Sequence, residues 1–142
     1  MAPLLMLSVF LGLLVQIHGS RVPGAPCDVS ADDRRVQQVA LSAAISFNNQ
    51  SNDSFLFKPK RITRAQRQVV RGLLFSLDLV LCRSVCRKQE EKHLKECDEQ
   101  PAGKLHQEVQ CHVEQWEEPW SHRSVTQRFC CLGQSEGRVC LR

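Results

Sequence analysis

Eight cysteines, at positions 27, 82, 86, 97, 111, 130, 131 and 140, are the side chains of this sequence best equipped for chemistry, and their number is even. Two groupings bring them close in sequence to histidine, the other common zinc ligand: Cys86, His93 and Cys97, then His106, Cys111 and His112. Neither spacing matches a finger pattern, and an oxidised sulfur does not ligate zinc, so no metal is expected. Gly-x-Ser-x-Gly, His-Glu-x-x-His and phosphate-cradling glycine loops are all absent, which leaves no catalytic motif and no cofactor to expect. What remains is recognition chemistry. Gln68-Val69-Val70-Arg71-Gly72 reads as a hairpin tip between strand-like segments, and Gly72 lacks a side chain that would hold a partner's surface away. Pro119-Trp120 is a second exposed apolar element, a large ring stiffened by its proline neighbour, of the kind that anchors binding surfaces.

The redox setting of the cysteines depends on the start of the chain. Met1 to Gly19 carries no Lys, Arg, Asp or Glu, and Leu4 to Val15 is an apolar run of signal-peptide length. Residues 1–19 are therefore read as a removed leader, not a membrane anchor, because the run is short for a span and has no basic region before it. The expected product is a secreted protein, able to reach endolysosomes, whose cysteines form disulfides. The net charge of +4 is mild and selects no partner class. The basic run Lys58, Lys60, Arg61, Arg64, Arg67 and Arg71 lacks interleaved aromatics and reads as a solvated strand face, with no nucleic-acid partner.

The elements that must position these residues follow in order. Residues 20–26 hold two prolines and Gly24 and form an N-terminal trunk. Ser30-x-x-Asp33 predicts a helix opening at Ser30, with Val36, Val39, Ala40, Ala43, Ala44 and Phe47 as its apolar stripe and an end near Asn48-Asn49. From Phe55 the period becomes two, with Pro59 marking an edge or bulge and a half-exposed strand from Arg61 to Val70. After the turn at Gly72, Leu73, Phe75, Leu77, Leu79 and Leu81 point one way and Ser76 and Asp78 the other. Lys88 to Gly103 is polar and is read as a long surface excursion; Leu105 to Glu114 and Val125 to Leu132 are weaker strands flanking Pro119-Trp120. One helix with four or five antiparallel strands makes an α+β domain over residues 27–132, followed by a cysteine-containing tail at 133–142.

The Gln-Val-Val-x-Gly and Pro-Trp elements, in this order about four dozen positions apart, resemble the two inhibitory hairpin loops of secreted type 2 cystatins, and the resemblance covers roughly Val22 to Cys131. It implies a five-stranded antiparallel sheet wrapped around one long helix. It also implies reversible occlusion of papain-like cysteine peptidases (the cathepsin class) by Gly24 of the trunk, Gln68 to Gly72, and Pro119 with Trp120. Trp116 is read as a structural residue on the strand leading to the second loop. By the same resemblance, Cys86 pairs with Cys97 and Cys111 with Cys131, while the adjacent Cys130 keeps the second bridge ambiguous and the pairing of Cys27, Cys82, Cys130 and Cys140 stays open. An unpaired Cys27 would be able to link two molecules, and cystatins also exchange domains through the first hairpin, so a dimer is a second expected form. Asn49-Gln50-Ser51 and Asn52-Asp53-Ser54 are glycosylation sequons in an expected surface loop. Ser51-Asn52-Asp53 resembles the segment with which some cystatins inhibit the asparaginyl peptidase legumain, a role that a glycan on Asn52 would block. Departures from the family are Pro23 in a short trunk, Arg71 in the first loop, and Glu117-Glu118 before Pro119. The alternative reading is a cystatin-fold host-defence module binding anionic surfaces, as in the cathelicidin precursors, which generally lack both loop motifs.

Overall fold

The computed structural model describes residues 24–89, 93–133 and 139–141, so the leader at 1–19 and the trunk up to residue 23 lie outside the described residues. The chain runs through β1 (Cys27–Asp28), α1 (Arg34–Gln50), β2 (Phe55–Val69), β3 (Leu73–Arg87), a single 3-10 turn (Leu94–Glu96), β4 (Glu108–Glu118), β5 (Arg123–Leu132) and β6 (Val139–Leu141). All strands pair antiparallel in sequence order, and β1 to β5 wrap the helix as the sequence leads one to expect. The sixth strand comes from the tail and extends the sheet beyond β5.

The helix begins later than Ser30. Ser30 makes a turn instead: its hydroxyl oxygen accepts from the Asp32 N–H (3.2 Å) and its carbonyl from the Asp33 N–H (3.1 Å). Asp33 is the N-cap, its carboxylate accepting from the N–H groups of Arg35 (2.9 Å) and Val36 (3.4 Å), because an ionised oxygen satisfies first-turn donors better than a hydroxyl. At the other end Ser51 N–H donates to the Phe47 carbonyl at 2.8 Å, so Asn49 belongs to the last helical turn and not to the loop. Val36, Val39, Ala40, Ala43 and Ala44 are buried as the period requires. The small residues of the stripe let the helix axis sit close to the sheet, while Phe47 meets Phe57 of β2 edge-on at 4.9 Å between ring centres.

β2 is one continuous strand, and the irregularity expected at Pro59 is a bulge: register shifts fall at Pro59/Arg61 and also at Phe55/Phe57 and Ile62/Arg64. A proline has no N–H for a ladder, so a bulge beside Pro59 costs little pairing. Phe75, Leu77, Leu79 and Leu81 of β3 are buried against the helix with Val109, Cys111, Val113, Phe129 and Cys131 from the neighbouring strands. Val80, Cys82, Ser84 and Cys86 on the opposite face are buried too, which alternation alone does not predict.

Part of the cover over that face is the returning excursion. Glu99 bridges to Ser84, Val85 N–H donates to the Asp98 carbonyl (2.9 Å), Gln100 Nε2 donates to the Ser84 carbonyl (3.1 Å), and Cys97 is disulfide-bonded to Cys86. The excursion is thus only partly a surface loop: Cys97 and Gln100 are buried. Lys60 pins it further, its ammonium donating to Glu99 (2.7 Å) and Glu108 (2.5 Å). The hydrogen bond to Glu108 holds the Lys60 ammonium above its ordinary pKa and, from the other side, holds the Glu108 carboxyl below its own.

Candidate functional site

The antiparallel order brings three separate segments to one end of the sheet. β3 starts at Leu73 opposite Glu117, near the end of β4, so the β2–β3 tip at residues 70–72 and the β4–β5 tip at residues 119–122 lie side by side. β1 pairs Cys27 with Arg67, which carries the preceding Gly24 toward the same end. There Gln68 Nε2 donates to the Gly24 carbonyl at 2.7 Å, and a Cβ on Gly24 would lie 3.8 Å from the Val69 carbonyl oxygen. Gly24 has φ +85°, a backbone shape other residues adopt at a cost.

Within the first tip, Val70 N–H donates to the Gly72 carbonyl at 3.0 Å, and Arg71 takes the left-handed region at φ 48° with its side chain in solvent. The reason for glycine at position 72 differs from the one the sequence suggested. Gly72 is buried, at φ 137°, and a Cβ there would meet the Glu117 carbonyl oxygen at 2.5 Å and the Trp116 indole nitrogen at 3.0 Å. The space a side chain would need is filled by the protein's own second hairpin, so Gly72 admits β4 and not a partner. Val69, Val70 and Trp120 are the apolar groups that face outward, at 64%, 44% and 69% exposure. Pro119 is exposed beside Trp120, so this Trp is not a core residue. Glu117 and Glu118 are half-buried and already engaged, Glu117 accepting from Gln115 Nε2 (3.3 Å) and Glu118 from the Ser121 hydroxyl (2.6 Å).

At the far end of β2, Asn49 and Asn52 are both exposed. The loop bearing Asn52 is stapled on either side: Asp53 pairs with Arg83 and accepts from Phe55 N–H, and Lys88 donates to the Ser51 and Ser54 carbonyls through its side chain and N–H respectively.

Three disulfides join Cys86 to Cys97, Cys111 to Cys131 and Cys130 to Cys140, which resolves the ambiguity at the adjacent pair. Cys131 turns inward to Cys111, and Cys130, on the opposite face of β5, holds the tail strand β6. Cys27 and Cys82 carry free thiols. The two cysteine–histidine groupings cannot be zinc sites, since Cys86, Cys97 and Cys111 are all oxidised. A different donor set, Glu99, His106 and Glu108, has its ligand atoms within 4.8 Å of one another, but Lys60 already compensates both carboxylates. Among the described residues no helix is long and apolar enough to cross a membrane.

One helix held in an antiparallel sheet, with Gly24 and two hairpin tips gathered at one end, is an architecture shared with known proteins. Residues 24–120 match the family model of the cystatin domain, and the chain belongs to the cystatin family, whose members are inhibitors of cysteine peptidases and not enzymes. It is 42% identical over 102 residues to human Cystatin-F, covering 71% of this chain and 70% of that protein, and 36% identical over 100 residues to mouse Cystatin-F, covering 70% and 69%. The crystal structure of dimeric human cystatin F matches with a TM-score of 0.73 at 36% identity, covering 87% of this chain and 98% of that one. The three disulfides accord with an extracellular setting.

Proposed function

We propose that this protein is a secreted, tight-binding, reversible inhibitor of papain-like cysteine peptidases of the cathepsin class, made after removal of residues 1–19. Gly24, Gln68 to Gly72, and Pro119 with Trp120 form a wedge that fills the active-site cleft without presenting a scissile bond to the nucleophilic cysteine. The observation that carries this reading is the convergence of three segments at one end of the sheet, with Val69, Val70 and Trp120 left facing solvent together there. Exposed apolar groups on rigid tips gain their burial energy on binding, while the ordering cost has been met in folding. Titration of active-site-calibrated papain and a cathepsin L-like peptidase with the oxidised protein tests it. Stoichiometric inhibition is expected, weakened roughly thirtyfold or more in Trp120→Ala, the loss typical of an aromatic hot spot. No inhibition by the oxidised or the mildly reduced protein overturns the reading.

The acidic pair narrows the target range. An unpaired carboxylate buried in a complex costs several kcal/mol, so Glu117 and Glu118 favour peptidases with a basic group at the cleft rim. Glu117→Ala and Glu118→Val should broaden selectivity across a cathepsin panel, and unchanged ratios refute it.

A second site, for legumain, is supported by the exposure of Asn52 on a stapled loop at the opposite end of β2 from the wedge. Asn49 and Asn52 are also the two glycosylation sites, and a glycan on Asn52 excludes legumain. Unglycosylated recombinant protein that leaves legumain fully active ends this proposal. The dimeric state named for the human cystatin F structure, together with the free Cys27 near Gly24, supports a disulfide-linked or domain-swapped pair as a masked form of the same inhibitor. Secretion followed by uptake into endolysosomes would bring it to its targets.

A further inference from the structure

The two inhibitory hairpins touch through a residue that belongs to neither tip. Trp116 lies on β4 opposite Leu74, four positions before Trp120 and on the face of the sheet turned away from the helix. Its indole Nε1–H donates to the Val70 carbonyl at 3.0 Å, a bond between residues 46 apart in sequence. The indole reaches that far because position 72 is glycine: a Cβ there would sit 3.0 Å from Nε1 and 3.1 Å from Cε2. Val70 is therefore held at both backbone groups, its N–H on the Gly72 carbonyl and its carbonyl on Trp116, while its side chain and that of Val69 remain in solvent.

We infer that Trp116 is a positioning residue for inhibition, fixing the first wedge loop against the second before any peptidase arrives. This rests on the wedge reading above. The Val70 carbonyl is at an exposed tip, where water replaces a lost donor at little cost to folding. What the indole bond removes is freedom of the tip, and an inhibitor whose competent geometry is only fractionally populated loses apparent affinity by that fraction. A phenyl ring at position 116 keeps most of the apolar contact over Gly72 and lacks the donor. Trp116 thus acts through Val69 and Val70 and not by touching the peptidase.

The test compares oxidised wild-type protein with Trp116→Phe in papain stopped-flow kinetics, urea unfolding and amide hydrogen exchange. The expected variant has a near-normal unfolding midpoint, faster exchange at residues 69–72, and about tenfold slower association with a smaller change in dissociation, the mark of lost preorganisation. Wild type that inhibits, beside a variant with the same association rate and the same exchange, overturns the role of Trp116 and leaves the wedge reading standing. Wild type that does not inhibit overturns both. A measurement on wild type alone guards against a variant that does not fold: the Trp116 indole proton should exchange more slowly than that of the solvent-facing Trp120, and equal fast exchange refutes the tie.

Discussion

Asn48 and Phe57 hold each other by a reciprocal pair of hydrogen bonds, Asn48 Nδ2 donating to the Phe57 carbonyl at 2.9 Å and Phe57 N–H donating to Asn48 Oδ1 at 2.8 Å. The carboxamide does for Phe57 what a neighbouring strand would do, and it does so from the last turns of the helix, with Asn48 itself buried. This clasp fixes the helix to the start of β2 at the first of the strand's three register shifts, just before the other two. Asn48→Leu keeps the volume and leaves a buried donor and acceptor unpaired, which should cost about 2–4 kcal/mol. Urea unfolding monitored by circular dichroism reads it, and a shift under about 0.5 kcal/mol, the scale of a surface substitution, contradicts the account.

Much of this architecture was legible from residue pattern. The apolar stripe of α1 and the alternation of β3 each have a single solution, because a helix of period 3.6 and a strand of period two bury different sets. The hairpin motifs were legible as well, and they fall on the tips where the strand order puts them. Other features depend on partners remote in sequence. No local signal says that Gly72 makes room for Trp116, or that Gln100 covers Ser84, since each pairing is set by tertiary register. Ser30 misled for a local reason, as both Ser30 and Asp33 are good caps and the stronger acceptor took the helix. The family resemblance supplied two disulfides; the third, Cys130–Cys140, needed the tail to return as a strand.

The two free thiols differ in access, and that difference can be read chemically. Cys27 is half-buried on the short edge strand β1, whereas Cys82 is 1% exposed, and burial pushes its thiol above the ordinary range. The thiolate is the reactive form, so the two effects act together against Cys82. Alkylation of the monomer at mildly alkaline pH followed by peptide mass spectrometry should label Cys27 alone, with Cys82 labelled only in denaturant. Equal labelling of both in the native protein would contradict the packing of β3 beneath the excursion.

The Lys60 clasp predicts a pH dependence with a definite sign. Glu108 has a lowered carboxyl pKa in the folded state, so its contribution is present above the ordinary carboxylate range and is lost as pH falls through the lowered value. Lys60 is raised, so its contribution is complete below the ordinary lysine range and is lost only as pH rises through the raised value. The clasp is therefore intact through neutrality and weakens in acid. His106 faces the same carboxylates at 3.8 and 3.6 Å, so His106→Gln belongs in both arms of a comparison with Lys60→Met. The gap in melting temperature between the two proteins should be widest near neutral pH and close only as pH falls through the lowered Glu108 value, beneath the ordinary carboxylate range. A gap that is flat across this range would mean that Lys60 contributes only its methylene stem.

The bond from Gln68 to the Gly24 carbonyl ties Gly24 to the first hairpin, and this tie can be separated from direct contact with a peptidase. Three oxidised proteins suffice alongside wild type: Gln68→Ala, a form beginning at Pro26, and the two changes combined. If Gln68 acts partly by holding the trunk, its removal matters less once the trunk is gone. Each single change should weaken papain inhibition about tenfold, and the combination should fall short of the product by a coupling of about 1 kcal/mol, within the range for residues in contact. Full multiplicativity would show that Gln68 and the trunk contribute independently, and that the 2.7 Å bond has no part in setting the wedge.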